Sequence, residues 1–514
     1  MRSNFSSRRL FAAVLGLAVC AGAGCDNGVD ITRLNPAGPP EVWEIFGVGQ
    51  NGSTLAYRKD LTPNNPNDEP LLPEWGTRTP AIWGNAIFLT SHIEDEQKLL
   101  LLKLDKRTGK VEWTRQVGTG EANRKTPQIK GAGSRGRQKF HDLQNLASPS
   151  PVTDGELVFV HFGNGDLSAY DFTGKQRWKR NLQDDHGEYT IWWGHANSPV
   201  VVGDLLISVC MQDSLEDLGL PTAPSYLVAH DKRTGKEKWK TMRMTAARAE
   251  ECDSYTTPII YQTKDRTELI VWGGDQVDAY DPATGKQWWY LPGQAKLRTI
   301  TGPTIGHGMV YVTRGKSGPL LAVNIGGVGE RPAEQIAWQI DKGTPDSCCP
   351  VLWENLLFIV SDGGIAQCLD ALTGQLYWQQ RLPGDYKASP LAADGRVYFL
   401  NRTGLCTVIA AATTFNKLAE NKIDDDTIAS PAVSDGSIYL RGRKALYRIG
   451  TGPVRGFAWT LGVGILASMF SAVFITRVIF DLLLAKGGLK SLPMLHILPR
   501  TPSINFLKFR KICY

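Results

Sequence analysis

An all-β fold, an eight-bladed β-propeller of four-stranded antiparallel blades, is what this 514-residue chain predicts, and three observations predict it. The first is a recurring phrase, Asp105-Lys-Arg-Thr108-Gly109-Lys110-Val-Glu-Trp113. It returns from Asp231 to Trp239, from Asp281 to Trp289 and from Asp370 to Trp378, and one residue shorter from Asp171 to Trp178. The second is a phrase built on proline, usually Ser/Thr-Pro, followed by a few apolar residues, a glycine-containing turn and an alternating strand. It marks Pro80, Pro151, Pro199, Pro258, Pro303, Pro350 (where Cys349 precedes the proline), Pro390 and Pro431. The third is the period, since these prolines lie 71, 48, 59, 45, 47, 40 and 41 residues apart. Units of roughly 40 to 50 residues holding about four short strands are propeller blades.

Each part of the unit has a physical reason. Before the aspartate runs an apolar stretch such as Leu100-Leu-Leu-Lys-Leu104 or Ser225-Tyr-Leu-Val-Ala-His230, which reads as a strand. In Asp-x-x-Thr-Gly the carboxylate can bond its own backbone two residues on and the glycine accepts positive φ, so the phrase is a hairpin turn. The tryptophan then opens the next strand. A single blade leaves both sheet faces apolar, so the units must close into a ring, with Trp113, Trp178, Trp239, Trp289 and Trp378 as wedges between neighbouring blades.

Composition bounds the function. With 42% apolar and 21% charged residues the chain can bury a large core. Its formal net charge is +6, but the basic excess sits at the two ends. Between residues 26 and 450 there are 46 basic and 50 acidic residues, a net −4, so nucleic acid is not an expected partner.

Residues 1–25 have the three regions of a signal peptide: Arg8-Arg9, apolar Leu10 to Ala23, then Gly24-Cys25. Gly22-Ala-Gly-Cys25 resembles a lipoprotein cleavage box, which would make Cys25 the acylated residue, and Ser7-Arg-Arg-Leu-Phe11 resembles a twin-arginine signal; a plain leader is the alternative. Residues 26–75 read as an irregular extension with the linker Leu61-Thr-Pro-Asn-Asn-Pro-Asn-Asp-Glu-Pro70, and residues 76–450 as the propeller. A basic loop, Arg124 to Lys139, projects from the first long interval and offers contacts to an acidic partner or lipid headgroups. Gly456 to Thr476 is a run of 21 residues without charge, placing a transmembrane helix at 456–484, and 485–514 is a basic tail without acids, expected to be cytoplasmic. The propeller itself is expected outside the inner membrane.

Six cysteines fall in the propeller, at 210, 252, 348, 349, 368 and 406, without Cys-x-x-Cys spacing or an adjacent ligand-spaced histidine, so no metal site is expected. His141, His161, His186 and His195 cluster in sequence and would converge only through the fold. There is no Gly-x-Ser-x-Gly, His-Glu-x-x-His or phosphate loop, and no catalytic residue is assigned.

The Asp-x-x-Thr-Gly-Lys-x-x-Trp and Ala-Ser-Pro-x-x-x-Asp-Gly phrases resemble the repeats of pyrroloquinoline-quinone (PQQ) type propellers over roughly 76–450, a family that includes the outer-membrane assembly lipoprotein BamB. In that family the motif builds blades and does not touch cofactor; with a complete repeat set and no catalytic constellation, the resemblance implies a protein-binding scaffold of the envelope, with no cofactor expected. It also admits a PQQ- and calcium-dependent dehydrogenase, for which Cys348 and Cys349 would form the vicinal disulfide found in some quinoproteins. The stretch from Thr451 to Asp481 resembles the last transmembrane helix of the export subunit SecD, and Ile504 to Lys511 the start of SecF. The propeller resemblance implies envelope proteins or peptides as partners, and that of the tail implies the membrane and the Sec translocase.

Overall fold

The computed structural model describes residues 55–60, 79–120, 143–191, 193–215, 224–294, 297–315, 318–443 and 445–450, together with Val478. Its strands assemble into eight sheets, antiparallel throughout except that Gly329–Glu330 adds a short parallel fifth strand to the fourth of them. Blade 1 is Ala81–Trp83, Ala86–Ile93, Lys98–Asp105 and Val111–Thr119; blade 2 is Val152–Thr153, Leu157–His161, Asp166–Asp171 and Gln176–Asn181. Blade 3 is Val200–Val202, Leu205–Cys210, Ser225–Asp231 and Glu237–Arg243; blade 4 is Ile259–Gln262, Thr267–Gly273, Gln276–Tyr280 and Gln287–Pro292. Blade 5 is Thr304–Gly306, Met309–Thr313, Leu320–Asn324 and Ile336–Ile340; blade 6 is Val351–Trp353, Leu356–Val360, Ile365–Asp370 and Leu376–Arg381. Blade 7 is Leu391–Ala393, Arg396–Leu400, Leu405–Ala410 and Lys417–Lys422; blade 8 takes Ala432–Ser434, Ser437–Arg441 and Ala445–Gly450 from the C-terminal side of the repeats.

The fourth strand of blade 8 comes from the other end. Leu55–Asp60 pairs antiparallel with Ala445–Gly450, with Arg58 opposite Tyr447 and Asp60 opposite Ala445. This corrects the expectation of an irregular extension up to residue 75. The segment has too little apolar character to announce a strand, yet it meets an outer edge whose backbone groups need partners.

The second and third strands are buried on both faces; Leu157–His161 is buried at all five positions. Among the described residues the apolar side chains fall into eight clusters, one at each junction of neighbouring blades. The junction of blades 8 and 1 packs Ala432, Tyr439 and Leu446 against Ile87, Leu89, Leu100, Leu102 and Leu104. Because no blade owns a core, ring closure is what removes both sheet faces from water.

The chain divides into two compact units, Met1–Gly452 and Pro453–Tyr514. The charge-free run at 456–476, the basic tail, Cys25 with its leader, the basic loop and His141 lie outside the described residues, apart from helical Val478 in the second unit. Among the described residues no helix is long and apolar enough to cross a membrane.

Candidate binding face around the propeller axis

The Asp-x-x-Thr-Gly phrase closes the hairpin between the third and fourth strands. In blade 3 the Asp231 carboxylate accepts from the Arg233 and Thr234 amides at 3.1 and 3.0 Å and from the Thr234 hydroxyl at 2.9 Å. The Thr234 hydroxyl bond, first among the causes, holds the Asp231 carboxyl below its ordinary value. Gly235 closes the turn at φ +69° and returns its N–H to the Asp231 carbonyl at 2.8 Å.

The tryptophans reach the turn of the next blade. The indole N–H of Trp113 donates to the Phe172 carbonyl at 3.0 Å, Trp178 to Lys232 at 2.9 Å, Trp239 to Pro282 at 3.1 Å and Trp378 to Ala412 at 3.0 Å. The turn glycine lies flat against that same ring: a Cβ on Gly235 would come within 2.6 Å of Trp178. Trp289 differs, donating instead to the Glu268 carboxylate of its own blade at 2.9 Å. The reason lies in blade 5, where Asn324-Ile-Gly-Gly-Val-Gly329 replaces the Asp-x-x-Thr-Gly turn and Gly329–Glu330 runs parallel beside Trp289 and Tyr290. The fifth indole on a neighbour's turn is Trp338, which donates to the Ala371 carbonyl at 3.0 Å. Reading by the turn phrase misses it, because blade 5 lacks the phrase that flags the other four.

The proline phrases gather at the centre. At four of these prolines the amide of the preceding residue bonds the next blade: Ser150 donates to the Ser198 hydroxyl at 2.9 Å, Ser198 to Thr257 at 3.2 Å, Cys349 to Ser389 at 2.9 Å and Ser389 to Ser430 at 3.0 Å. The Thr79 hydroxyl donates to the Ser430 carbonyl at 3.0 Å, carrying the belt from blade 8 to blade 1. Cys349 occupies a serine's place in this belt, its sulfur accepting the Gly302 N–H at 3.2 Å. Cys348, by contrast, joins the apolar cluster between blades 6 and 7. The two thiols serve different environments, and no disulfide joins them. Burial, ahead of the nearby Asp362 charge, pushes the Cys348 thiol well above its ordinary pKa.

Around this belt opens a cavity of about 430 Å³. All eight blades contribute to its wall, through Thr79, Gln144, Trp193, Tyr255, Arg298, Cys349, Lys387 and Ser430 among others. Its charges are paired within the protein. Arg298 bonds Glu250 at 2.8 Å and Asp346 at 3.3 Å, and although burial opposes its charge the two carboxylates raise its pKa. Lys387 bonds Asp362 at 2.5 Å; Asp362 also accepts from the Asp346 and Ser347 amides at 3.0 and 2.9 Å, and these bonds outweigh burial to keep it ionised.

The histidines do not form one group. His161 and His195 meet in the interior, Nδ1 to Nε2 at 3.2 Å, and His161 Nε2 lies 3.1 Å from the Tyr189 hydroxyl. His186 lies instead at the junction of blades 2 and 3 near His230, which sequence reading passed over. The available signal was the repeat itself, since the residue before the turn aspartate is Leu104, Tyr170, Tyr280 or Leu369 in other blades and His230 only in blade 3.

Compared with known families, the chain matches the one described as outer membrane protein assembly factor BamB over residues 69–215, 223–327 and 330–418, more than half of its length. The chain belongs to the BamB family. Among solved structures it is similar to BamB from Moraxella catarrhalis, at 11% identity over 72% of this chain and 96% of that one, with a TM-score of 0.49. It is also similar to the quinohemoprotein alcohol dehydrogenase from Comamonas testosteroni, at 14% identity over 77% of this chain and 76% of that one, with a TM-score of 0.50, a likeness of fold alone. Beside this BamB-type propeller the chain carries a SecD-like fragment. It is 62% identical over 47 residues to the protein translocase subunit SecD of Syntrophobacter fumaroxidans and 60% identical over 47 residues to that of Magnetococcus marinus. The match spans 9% of the length of each of those relatives.

A quinone with calcium, the group found in dehydrogenases of this fold, does not fit the described wall. PQQ is a tricarboxylate and needs uncommitted cations, whereas Arg298 already holds two carboxylates of the protein and Lys387 a third. A calcium ion needs several convergent oxygens, and the carboxylates of Glu250 and Asp346 are turned to Arg298.

Proposed function

We propose that this chain is an envelope β-propeller that binds other proteins or peptides at the face around its axial cavity, as a scaffold rather than an enzyme. One observation carries the reading: eight blades converge on a concave wall of hydroxyls, amides, half-buried Trp193 and internally neutralised ion pairs. Such a wall favours a polypeptide of mixed character over a small anion, because its charges are not free to hold one. Membership of the BamB family supports the same class of partner. The leader, Cys25 and the expected helix at 456–484 supply export and anchoring in this reading, with 485–514 on the cytoplasmic side.

A photo-crosslinking amino acid placed at Gln144 or Ser430 tests it. Cross-links to envelope polypeptides from these positions, and not from Gln380 on the exposed outer strand of blade 6, are expected. Equal capture from all three positions, or none, overturns the reading.

The SecD-like fragment supports a second reading, in which the propeller is an accessory of the Sec export machinery. Co-purification of the intact chain with SecD and SecF partners, lost when residues 451–514 are removed, is the expected result. Equal recovery without that segment removes the idea.

A further inference from the structure

We propose that His186, His230 and Glu237 bind one zinc ion, which clasps blade 2 to blade 3. The three side chains come from separate pieces of chain. His230 is the sixth residue of Ser225–Asp231, and Glu237 opens Glu237–Arg243 directly opposite it in register, so both lie on one hairpin of blade 3. His186 ends the short helix Leu182–His186 that follows the last strand of blade 2. One ligand atom from each lies within 4.8 Å of the others. His186 Nε2 stands 3.4 Å from Glu237 Oε2, without the geometry of a hydrogen bond. Two ligands at about 2.1 Å from a tetrahedral zinc are about 3.4 Å apart, so this edge is already of the right length.

The second observation is that His230 is fully buried and neither of its ring nitrogens has a hydrogen-bond partner. An imidazole in a position that other blades fill with Leu or Tyr carries a desolvation cost that an apolar residue avoids. A bound cation would repay it. The nearby cations are engaged elsewhere: Arg180 with Asp185 at 2.8 Å and Lys240 over the Tyr226 ring at 4.4 Å. Two imidazoles and one carboxylate are ligands that zinc accepts, and they leave its fourth position to solvent. The position matters because Trp178 donates to Lys232 at the same junction, so the ion would fasten the blades beside an indole that already docks them.

The test uses the intact purified chain, stripped with chelator and titrated with Zn²⁺ against a chromophoric competitor, with melting followed in parallel. One equivalent bound and a melting temperature that rises with zinc are expected for the wild type. Glu237→Gln is expected to weaken binding 10- to 100-fold. His230→Leu, which restores the residue used by blades 1 and 6, is expected to abolish binding while leaving the zinc-free chain at least as stable. His307→Gln, at an exposed histidine in blade 5, serves as control and is expected to bind normally. A wild type that takes up no zinc, or Glu237→Gln and His230→Leu chains that bind as well as wild type, overturns the proposal; loss of folding in His230→Leu leaves Glu237→Gln to decide.

Discussion

At the scale of single residues, the blade junctions separate shape from hydrogen bonding. Trp178 is buried and its indole donates at 2.9 Å to Lys232 of blade 3, so Trp178→Phe keeps most of the ring and loses the bond. A loss of about 1 kcal/mol is expected, against roughly 3–5 kcal/mol for Trp178→Ala, measured by denaturant unfolding. Similar losses for the two would mean that the bond and not the ring fastens the junction. His161 provides a pH test. It is fully buried, and burial ahead of the neighbouring His195 and His230 holds its pKa well below 6.5. The folded chain therefore refuses a proton that the unfolded chain accepts, so stability present above pH 6.5 is lost as pH falls below it, by about 1.4 kcal/mol per unit until the native pKa is reached. A melting temperature that falls less steeply from pH 7 to pH 5 in His161→Gln than in wild type is expected, and parallel slopes would remove His161 as the cause.

At the scale of elements, the hairpin turns are fitted to their neighbours as well as to their own strands. Gly235 and Gly203 both have positive φ, +69° and +56°, but only Gly235 faces an indole, whereas nothing lies within 4 Å of a Cβ added at Gly203. Gly203→Ala should show backbone strain alone, roughly 1 kcal/mol, and Gly235→Ala clearly more, since Trp178 must move as well. Equal melting temperatures for the two would contradict the docking of ring on turn. Blades 3 and 4 carry a further tie: buried Arg243 bonds the Asp278 carboxylate through Nε at 2.8 Å and the Gln276 carbonyl at 2.8 Å. Arg243→Met is expected to cost about 3–5 kcal/mol by stranding the Asp278 charge, and Asp278→Leu in the same chain to recover much of it, as read by urea unfolding.

At the scale of the whole molecule, the two ends of the repeat region meet in blade 8. Leu55–Asp60 closes the outer edge of a sheet whose other strands lie nearly 400 residues later, so the ring is completed by the first of the described strands pairing with the last. Removing residues 1–60 is expected to lower the melting temperature of the propeller and to broaden its calorimetric transition, because blade 8 then loses its outer partner. An unchanged transition would show that this strand is dispensable to closure. The same long-range logic governs the cavity, whose wall takes residues from every blade and is tied from blade to blade by bonds such as Ser150 to Ser198, Cys349 to Ser389 and Ser389 to Ser430.

The periodic features were legible without coordinates. In five blades the turn is a local matter of an aspartate, a threonine and a glycine bonding within five residues, and the proline phrases mark all eight units, so the units, their strands and four of the five docking indoles follow from reading the chain. Trp338 escaped because its own blade lacks the phrase, and Trp289 turned inward because the neighbouring turn it would have met is missing. Leu55–Asp60 carries no pattern of its own; its conformation comes from the edge it covers. The belt in which Cys349 stands for serine, and the meeting of His186 with His230 and Glu237, depend on which blade lies beside which. Local hydrogen bonding is written in neighbouring residues, but the company a side chain keeps across a blade junction is decided only when the ring closes.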